Sequence, residues 1–160
     1  MSFGGALALS LHDRHPSIPR TLLLASAYAG WGGSLPAEVA EARLRQAIVL
    51  AGLSSDEFVN ALLPTMFGPA AAADAVAAFR VSMSEFHPVG FRAMARAAAV
   101  NLRHALPKVD VPTLLIYGEK DVRAGLPVAR DLEAAIAGST LVVLPETCLL
   151  YTSPSPRDRS

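Results

Sequence analysis

At 160 residues, 52% hydrophobic, 18% charged and with zero formal net charge, the chain has the composition of a single globular domain. Its basic residues are scattered rather than gathered into a stripe, which excludes a nucleic-acid binder on charge grounds, and no apolar run reaches the roughly 18 to 20 residues that span a bilayer. The only cysteine is Cys148, so disulfides and thiolate metal sites are excluded as well.

The chain opens on Met1-Ser2-Phe3-Gly4-Gly5, which reads as the last four-fifths of a G-x-S-x-G nucleophile turn, with its first glycine expected one residue before Met1. In such a turn a strand reverses sharply into a helix, so small residues flank the serine and its oxygen stands clear above the sheet. Ser-Gly pairs also mark ordinary loops, so the spacing alone does not decide between the two. From Gly5 to Leu11 the residues are small or apolar, and His15-Pro16 stops the pattern, as in a buried helix that follows the turn. Thr21-Leu22-Leu23-Leu24-Ala25-Ser26-Ala27 is then a short apolar run without alternation, the pattern of a strand covered on both faces in a parallel sheet.

Residues 31–108 have helical periodicity and no convincing strand, and are expected to form a helical insertion. Leu44, Ala47, Ile48 and Ala51 form one stripe, with Pro36 near its start and Gly52 after its end. Ser54-Ser55-Asp56-Glu57 places a capping box before Phe58, Val59, Leu62 and Leu63. Val76, Phe79 and Met83 predict a third helix, and Phe91, Met94, Ala98 and Leu102 a fourth, with Met66 and Phe67 falling between helices. The Ala-rich run from Ala70 to Ala78 reads as helix propensity rather than a low-complexity tract.

A second buried strand is predicted at Thr113-Leu114-Leu115-Ile116-Tyr117, after Val111-Pro112 and before Gly118, and a third at Thr140-Leu141-Val142-Val143-Leu144. Between them Val128, Leu132, Ala135 and Ile136 recur at helical spacing and Gly138 ends the helix, which predicts a right-handed strand-helix-strand crossover. From Cys148 to Asp158 the chain reads residue for residue as a translated transposase-type DNA-library adapter, so residues 148–160 are set aside as an artefactual, disordered tail. A real Ser/Pro-rich tail is the alternative that composition allows. On the adapter reading, the chain is expected to be a gene fragment cut at both ends, with an internal methionine taken as its start.

Serine turn, helix, buried strand, helical insertion, buried strand with Gly118-Glu119-Lys120-Asp121, helix, buried strand: this order resembles the second half of an α/β-hydrolase. The resemblance covers residues 1–147 and rests on Ser2-Phe3-Gly4-Gly5, on Pro112 through Asp121, and on Leu144-Pro145. It implies an α/β fold, part of a parallel sheet with flanking helices, with the core at residues 1–30 and 109–147 and a cap at 31–108. It further implies Ser2 as nucleophile, the Phe3 N–H as oxyanion donor, and Asp121 as the acid that orients a histidine and stabilises its cationic form. Asp121 has a plainer reading as a turn residue after Gly118. Trp31 would line the acyl or leaving-group pocket, or simply pack; Met66, Phe67, Phe79 and Phe86 would form the pocket ceiling or the core of the cap. Arg123 would bind a substrate carboxylate or stay solvated at the surface.

The base is not identified. His12, His15, His87 and His104 all precede Asp121, against the family order serine, acid, histidine, so none is assigned, and the histidine is expected soon after Thr147. The resemblance implies a serine hydrolase acting on a small-molecule ester, lactone or related carbonyl compound through an acyl-serine, without cofactor or metal, without nucleic acid or membrane, in the cytoplasm. The fragment itself is expected to be nearly inert. The alternatives are carbon–carbon bond hydrolysis or perhydrolysis on the same scaffold, and a non-catalytic ligand receptor.

Overall fold

A computed structural model describes residues 1–68 and 71–149. Helix α1 (Phe3–Arg14) leads into strand β1 (Leu22–Ala25), and a helical excursion follows: α2 (Trp31–Ser34), α3 (Ala37–Leu50), α4 (Ser55–Met66), α5 (Ala73–Ser84) and α6 (Pro88–Ala98). A 3-10 turn at Arg103–Lys108 returns the chain to β2 (Thr113–Gly118), and α7 (Leu126–Ala135) connects this to β3 (Thr140–Leu144). The strands form one parallel sheet in the order β1-β2-β3, with Ala25 opposite Ile116 and Gly118 opposite Leu144.

The apolar runs form strands because β-branched and leucine side chains pack well on a pleated surface, and parallel pairing satisfies the backbone between them. Their burial differs sharply, however. Strand β2 is covered almost throughout, with Leu115 and Tyr117 fully buried, whereas β1 alternates and leaves Leu23 exposed. Strand β3 is exposed at four of its five positions, which corrects the expectation of a strand covered on both faces. The reason is position: β2 sits between two strands, while β1 and β3 each pair only with β2 among the described residues.

The main core gathers Leu9 of α1, Leu24, Leu115, Tyr117, and Ala129 and Leu132 of α7. The Tyr117 hydroxyl donates to the Ala27 carbonyl at 2.7 Å, and burial pushes the phenol's pKa above its ordinary value. Gly5 is required here, because a Cβ on it would collide with the Ala27 side chain, whereas Gly4 has open space around its Cα. Within the stretch expected as an insertion, Leu106 of the 3-10 turn is fully buried in this main core. A second cluster is built from Phe58, Val59 and Leu62 of α4, with Phe79, Phe86 and Phe91 against them. Phe58 stacks on Phe86 at 3.8 Å between centroids and meets Phe91 edge-on at 4.8 Å.

The capping box forms as expected, since Ser54 N–H donates to Glu57 Oε2 at 3.0 Å and Ser54 Oγ accepts from the Glu57 N–H. The Ser54 hydroxyl, which donates to Glu57 Oε2 at 2.7 Å, and then the Ser54 N–H hold the Glu57 carboxyl below its usual pKa. Met66 is the last residue of α4 rather than part of a connection, because the helix runs through Pro64 by another half turn. Helix α6, the fourth helix the sequence predicts, ends at Ala98, so Leu102 lies beyond it, at the start of the 3-10 turn. Cys148 and Leu149 lie within the packed structure, Leu149 buried, while residues 150–160 of the expected tail, together with Ala70 of the Ala-rich run, fall outside the described residues.

Candidate active site

Ser2 caps α1 with φ 48° and ψ −120°, a conformation that non-glycine residues rarely adopt. Serine at a helix N-cap ordinarily turns its hydroxyl back onto the helix, but here it makes no capping bond, which leaves Oγ available. The Ser2 N–H donates to the Ala25 carbonyl at 2.9 Å, so the serine is pinned to the C-terminal tip of β1. Gly4 and Gly5 N–H groups donate to the Met1 and Ser2 carbonyls. The Phe3 N–H, at the first helical position, has no backbone acceptor among the described residues.

Asp121 lies three residues past the end of the neighbouring strand, β2, and is buried. Its Oδ1 accepts from the Arg123 N–H at 2.8 Å and the Ala124 N–H at 2.9 Å, which locks the carboxyl within its turn. Its Oδ2 is buried with no hydrogen-bond partner among the described residues. An unpaired buried carboxylate oxygen is costly, so its persistence needs an explanation.

A cavity of about 500 Å³ opens beside the serine, lined by Ser2, Phe3 and Trp31, and by Met66, Phe79 and Phe86 of the insertion. Asp121 is not among the lining residues, although Val122 and Arg123, which follow it, are. Phe67 does not line the cavity; it meets Phe79 edge-on at 5.5 Å. Met66, Phe79 and Phe86 both line the cavity and pack in the second cluster, so the two readings of them hold together.

No histidine lines the cavity among the described residues. Each has another place. His12 is buried on α1 with Nε2 3.1 Å from Asp110 Oδ1, and His15 caps the end of that helix. His87 caps α6 by accepting from the Gly90 N–H, and His104 Nε2 lies 3.2 Å from Asp13. Beyond β3 the chain turns back over the strand tips: the Lys120 N–H donates to the Thr147 carbonyl at 2.8 Å, and Leu149 enters the cavity wall. A Cβ on Gly118 would collide with the Thr147 carbonyl, so that crossing needs the glycine.

Arg43 and Tyr28 belong to this wall too, and the sequence did not flag them. Arg43 Nη1 donates to the Tyr28 hydroxyl at 2.7 Å, and both its terminal nitrogens reach the Arg123 carbonyl at 3.2 Å. Burial pushes the Tyr28 phenol up, keeping it neutral near pH 7. Arg123 is half-buried and donates to Thr65 Oγ1 at 3.0 Å, rather than projecting freely into solvent. The signal available was spacing, since Arg43, Gln46, Ala47 and Leu50 share one face of α3 and all line the cavity. Among the described residues there is no grouping of side chains suited to hold a metal, and no helix long and apolar enough to cross a membrane.

A parallel sheet, a strained serine at the tip of one strand and a fixed carboxylate past the tip of the next invite comparison with solved structures. A hydrolase from Pseudomonas aeruginosa superposes with a TM-score of 0.79 at 27% identity, over 93% of this chain and 56% of its own. An esterase from Exiguobacterium antarcticum gives 0.81 at 24%, over 93% and 57%, and an enol-lactonase from Burkholderia xenovorans 0.72 at 25%, over 90% and 55%. The chain belongs to the α/β-hydrolase superfamily. It carries part of that fold and spans a little over half the length of these structures. The sequence matches no protein-family model and no curated protein.

Proposed function

We propose that the full-length protein is a serine hydrolase that cleaves an ester, lactone or related carbonyl compound through an acyl-serine intermediate. The observation that carries this reading is the backbone at Ser2, forced to φ 48° at the head of α1 with its hydroxyl released from capping. Strain of this kind costs about 1–3 kcal/mol and persists where the fold over-determines it, as at a nucleophile held clear of its own helix.

In this reading Ser2 Oγ attacks the carbonyl carbon while a histidine takes its proton. The developing oxyanion accepts from the Phe3 N–H, an unspent donor at a helix N-terminus, where the helix dipole adds to the stabilisation. The histidine then returns the proton to the leaving oxygen, and the same base activates water for deacylation. Asp121 Oδ2 would accept from the far nitrogen of that imidazole, which accounts for a buried oxygen otherwise without a partner. The histidine would come from residues that follow Thr147 in the full-length protein, since the backbone there already crosses back over the strand tips. The helical insertion serves as a cap whose Met66, Phe79 and Phe86 form an apolar ceiling, with Trp31 beside the serine.

The test is a fluorophosphonate probe applied to the full-length protein. Covalent labelling at Ser2, absent in Ser2→Ala, supports the proposal; a folded protein that binds ligand yet stays unlabelled would be a receptor instead, and the proposal would fall.

A further inference from the structure

The charge on the cavity wall points to a narrower substrate class. Arg43 and Arg123 line the cavity and no acidic side chain does, among the described residues. Elsewhere Arg80 and Arg92 bond to neutral acceptors, and two exposed arginines find carboxylates: Arg45 pairs with Glu41, and Arg103 with Asp131. Arg43 and Arg123 form no such pair among the described residues, and their hydrogen bonds run only to neutral acceptors, Tyr28 Oη, Thr65 Oγ1 and the Arg123 carbonyl.

Two like charges have therefore been brought together at an otherwise apolar wall. Burial, and then the neighbouring Arg43, hold the Arg123 pKa below the ordinary guanidinium value, although the group stays charged near neutrality. Asp121 acts on Arg123 through space, and its Oδ1 is committed to backbone N–H groups. A guanidinium carries five N–H donors, and Arg123 spends one of them on Thr65, so most of its fork remains available. The Arg43 head is held over the faces of Tyr28 and Trp31, at 5.4 and 5.8 Å from the ring centroids, and is thus already ordered without a ligand. An ordered, half-desolvated pair of cations is the arrangement that binds a carboxylate well, because little is lost in ordering and each bond is charge-assisted.

We infer that Arg43 and Arg123 form a carboxylate subsite, and that the substrate carries a carboxylate in addition to the ester or lactone carbonyl that Ser2 attacks. This rests on the serine-hydrolase reading for the second carbonyl, but not for the anion. Apolar lining for the carbon chain between the two groups is available from Met66, Phe79, Met83 and Phe86.

The test compares mono-(4-nitrophenyl) glutarate with its methyl ester on the full-length protein, two substrates of one skeleton that differ in the charge. The free acid is expected to be preferred in kcat/KM by roughly tenfold or more. In Arg43→Gln and in Arg123→Gln that ratio falls towards one, mainly through KM. Arg123→Lys retains part of the preference, and Arg45→Gln, on the outer face of α3, leaves it as it was. Fluorophosphonate labelling of Ser2 in each variant shows that the fold is kept, and a variant that fails to label is replaced by its lysine counterpart. Equal use of acid and ester by the wild type, or a preference that neither glutamine variant reduces, overturns the inference. Should neither ester turn over and Ser2 stay unlabelled, the hydrolase reading fails by itself. Glutarate binding by calorimetry then decides the subsite: heat that disappears in Arg123→Gln supports it, and no heat in the wild type overturns it.

Discussion

The sheet region and the helical insertion are built on different economies of burial. Around β2 the sheet region buries Leu24, Leu115, Tyr117 and Leu132 completely, and it fixes Ser2 by a backbone bond to the tip of β1 and Asp121 by bonds within its own turn. Among helices α3 to α6 of the insertion the large buried side chains, Phe58, Val59 and Leu62, are all on α4; α3 and α6 bury only alanines, and α5 buries nothing. Of the apolar side chains packed against that trio, Met66, Phe79, Met83 and Phe86 also line the cavity. On the proposed mechanism, the groups that must hold a position to a fraction of an ångström sit on the more buried part, and those that would adapt to substrate shape sit on the less buried one.

The comparison is sharpest in activity. In the full-length protein Ser2→Ala is expected to lower kcat by about 10⁴-fold or more and Asp121→Asn by a similar factor, with melting little changed; Phe79→Ala, in the insertion, shifts KM and substrate preference instead. Steady-state kinetics on two acyl chain lengths would separate the cases, and a large kcat loss in Phe79→Ala would break the division. Stability comes next. Leu132→Ala opens a void in the main core and is expected to cost about 2–5 kcal/mol in denaturant unfolding. A cost near zero would mean that the sheet region is not the stable one. Gly5→Ala sets a methyl against Ala27 and should cost about 1–3 kcal/mol, while Gly4→Ala, with free space, stays well below it.

Smaller effects belong to the surface. Ser54→Ala removes the capping box of α4 and is expected to lose about 1 kcal/mol, visible as faster amide exchange in α4 before any change in the sheet. The Arg103 guanidinium beside Asp131 holds that carboxyl below its ordinary pKa, so the pair stabilises the fold above the unfolded carboxyl value, about 3.9. That contribution is lost as pH falls through the lower, folded value. Because both groups are substantially exposed, Asp131→Asn should flatten the acid limb of a stability–pH curve only slightly, and an unchanged limb would assign the pair no role.

The strands were legible because each is a short apolar run without alternation, and the helices of the insertion because their apolar spacing and one capping box are local signals. The helix Trp31–Ser34 and the 3-10 turn were not, since four and six residues carry too little periodicity to register. Exposure of β3 could not be read either: its residues specify what it would bury, and only the elements packed on it decide what it does bury. Ser2 and Asp121 announced themselves through glycine-bearing turns. Arg43 did not, because a charged residue on a helix reads as solvated until the tertiary fold closes a cavity over it.

The excursion between β1 and β2 leaves and rejoins the sheet at nearly one point. The Leu102 N–H donates to the Ala29 carbonyl at 2.8 Å, and Gly30, with φ 69°, lies so close to the Val100 carbonyl that a side chain there would collide with it. A segment whose two roots touch behaves as a cassette. On the proposed reading, exchanging residues between those roots for a different helical run would redraw the cavity wall without rerouting a single strand, and selectivity would change by replacement rather than by redesign.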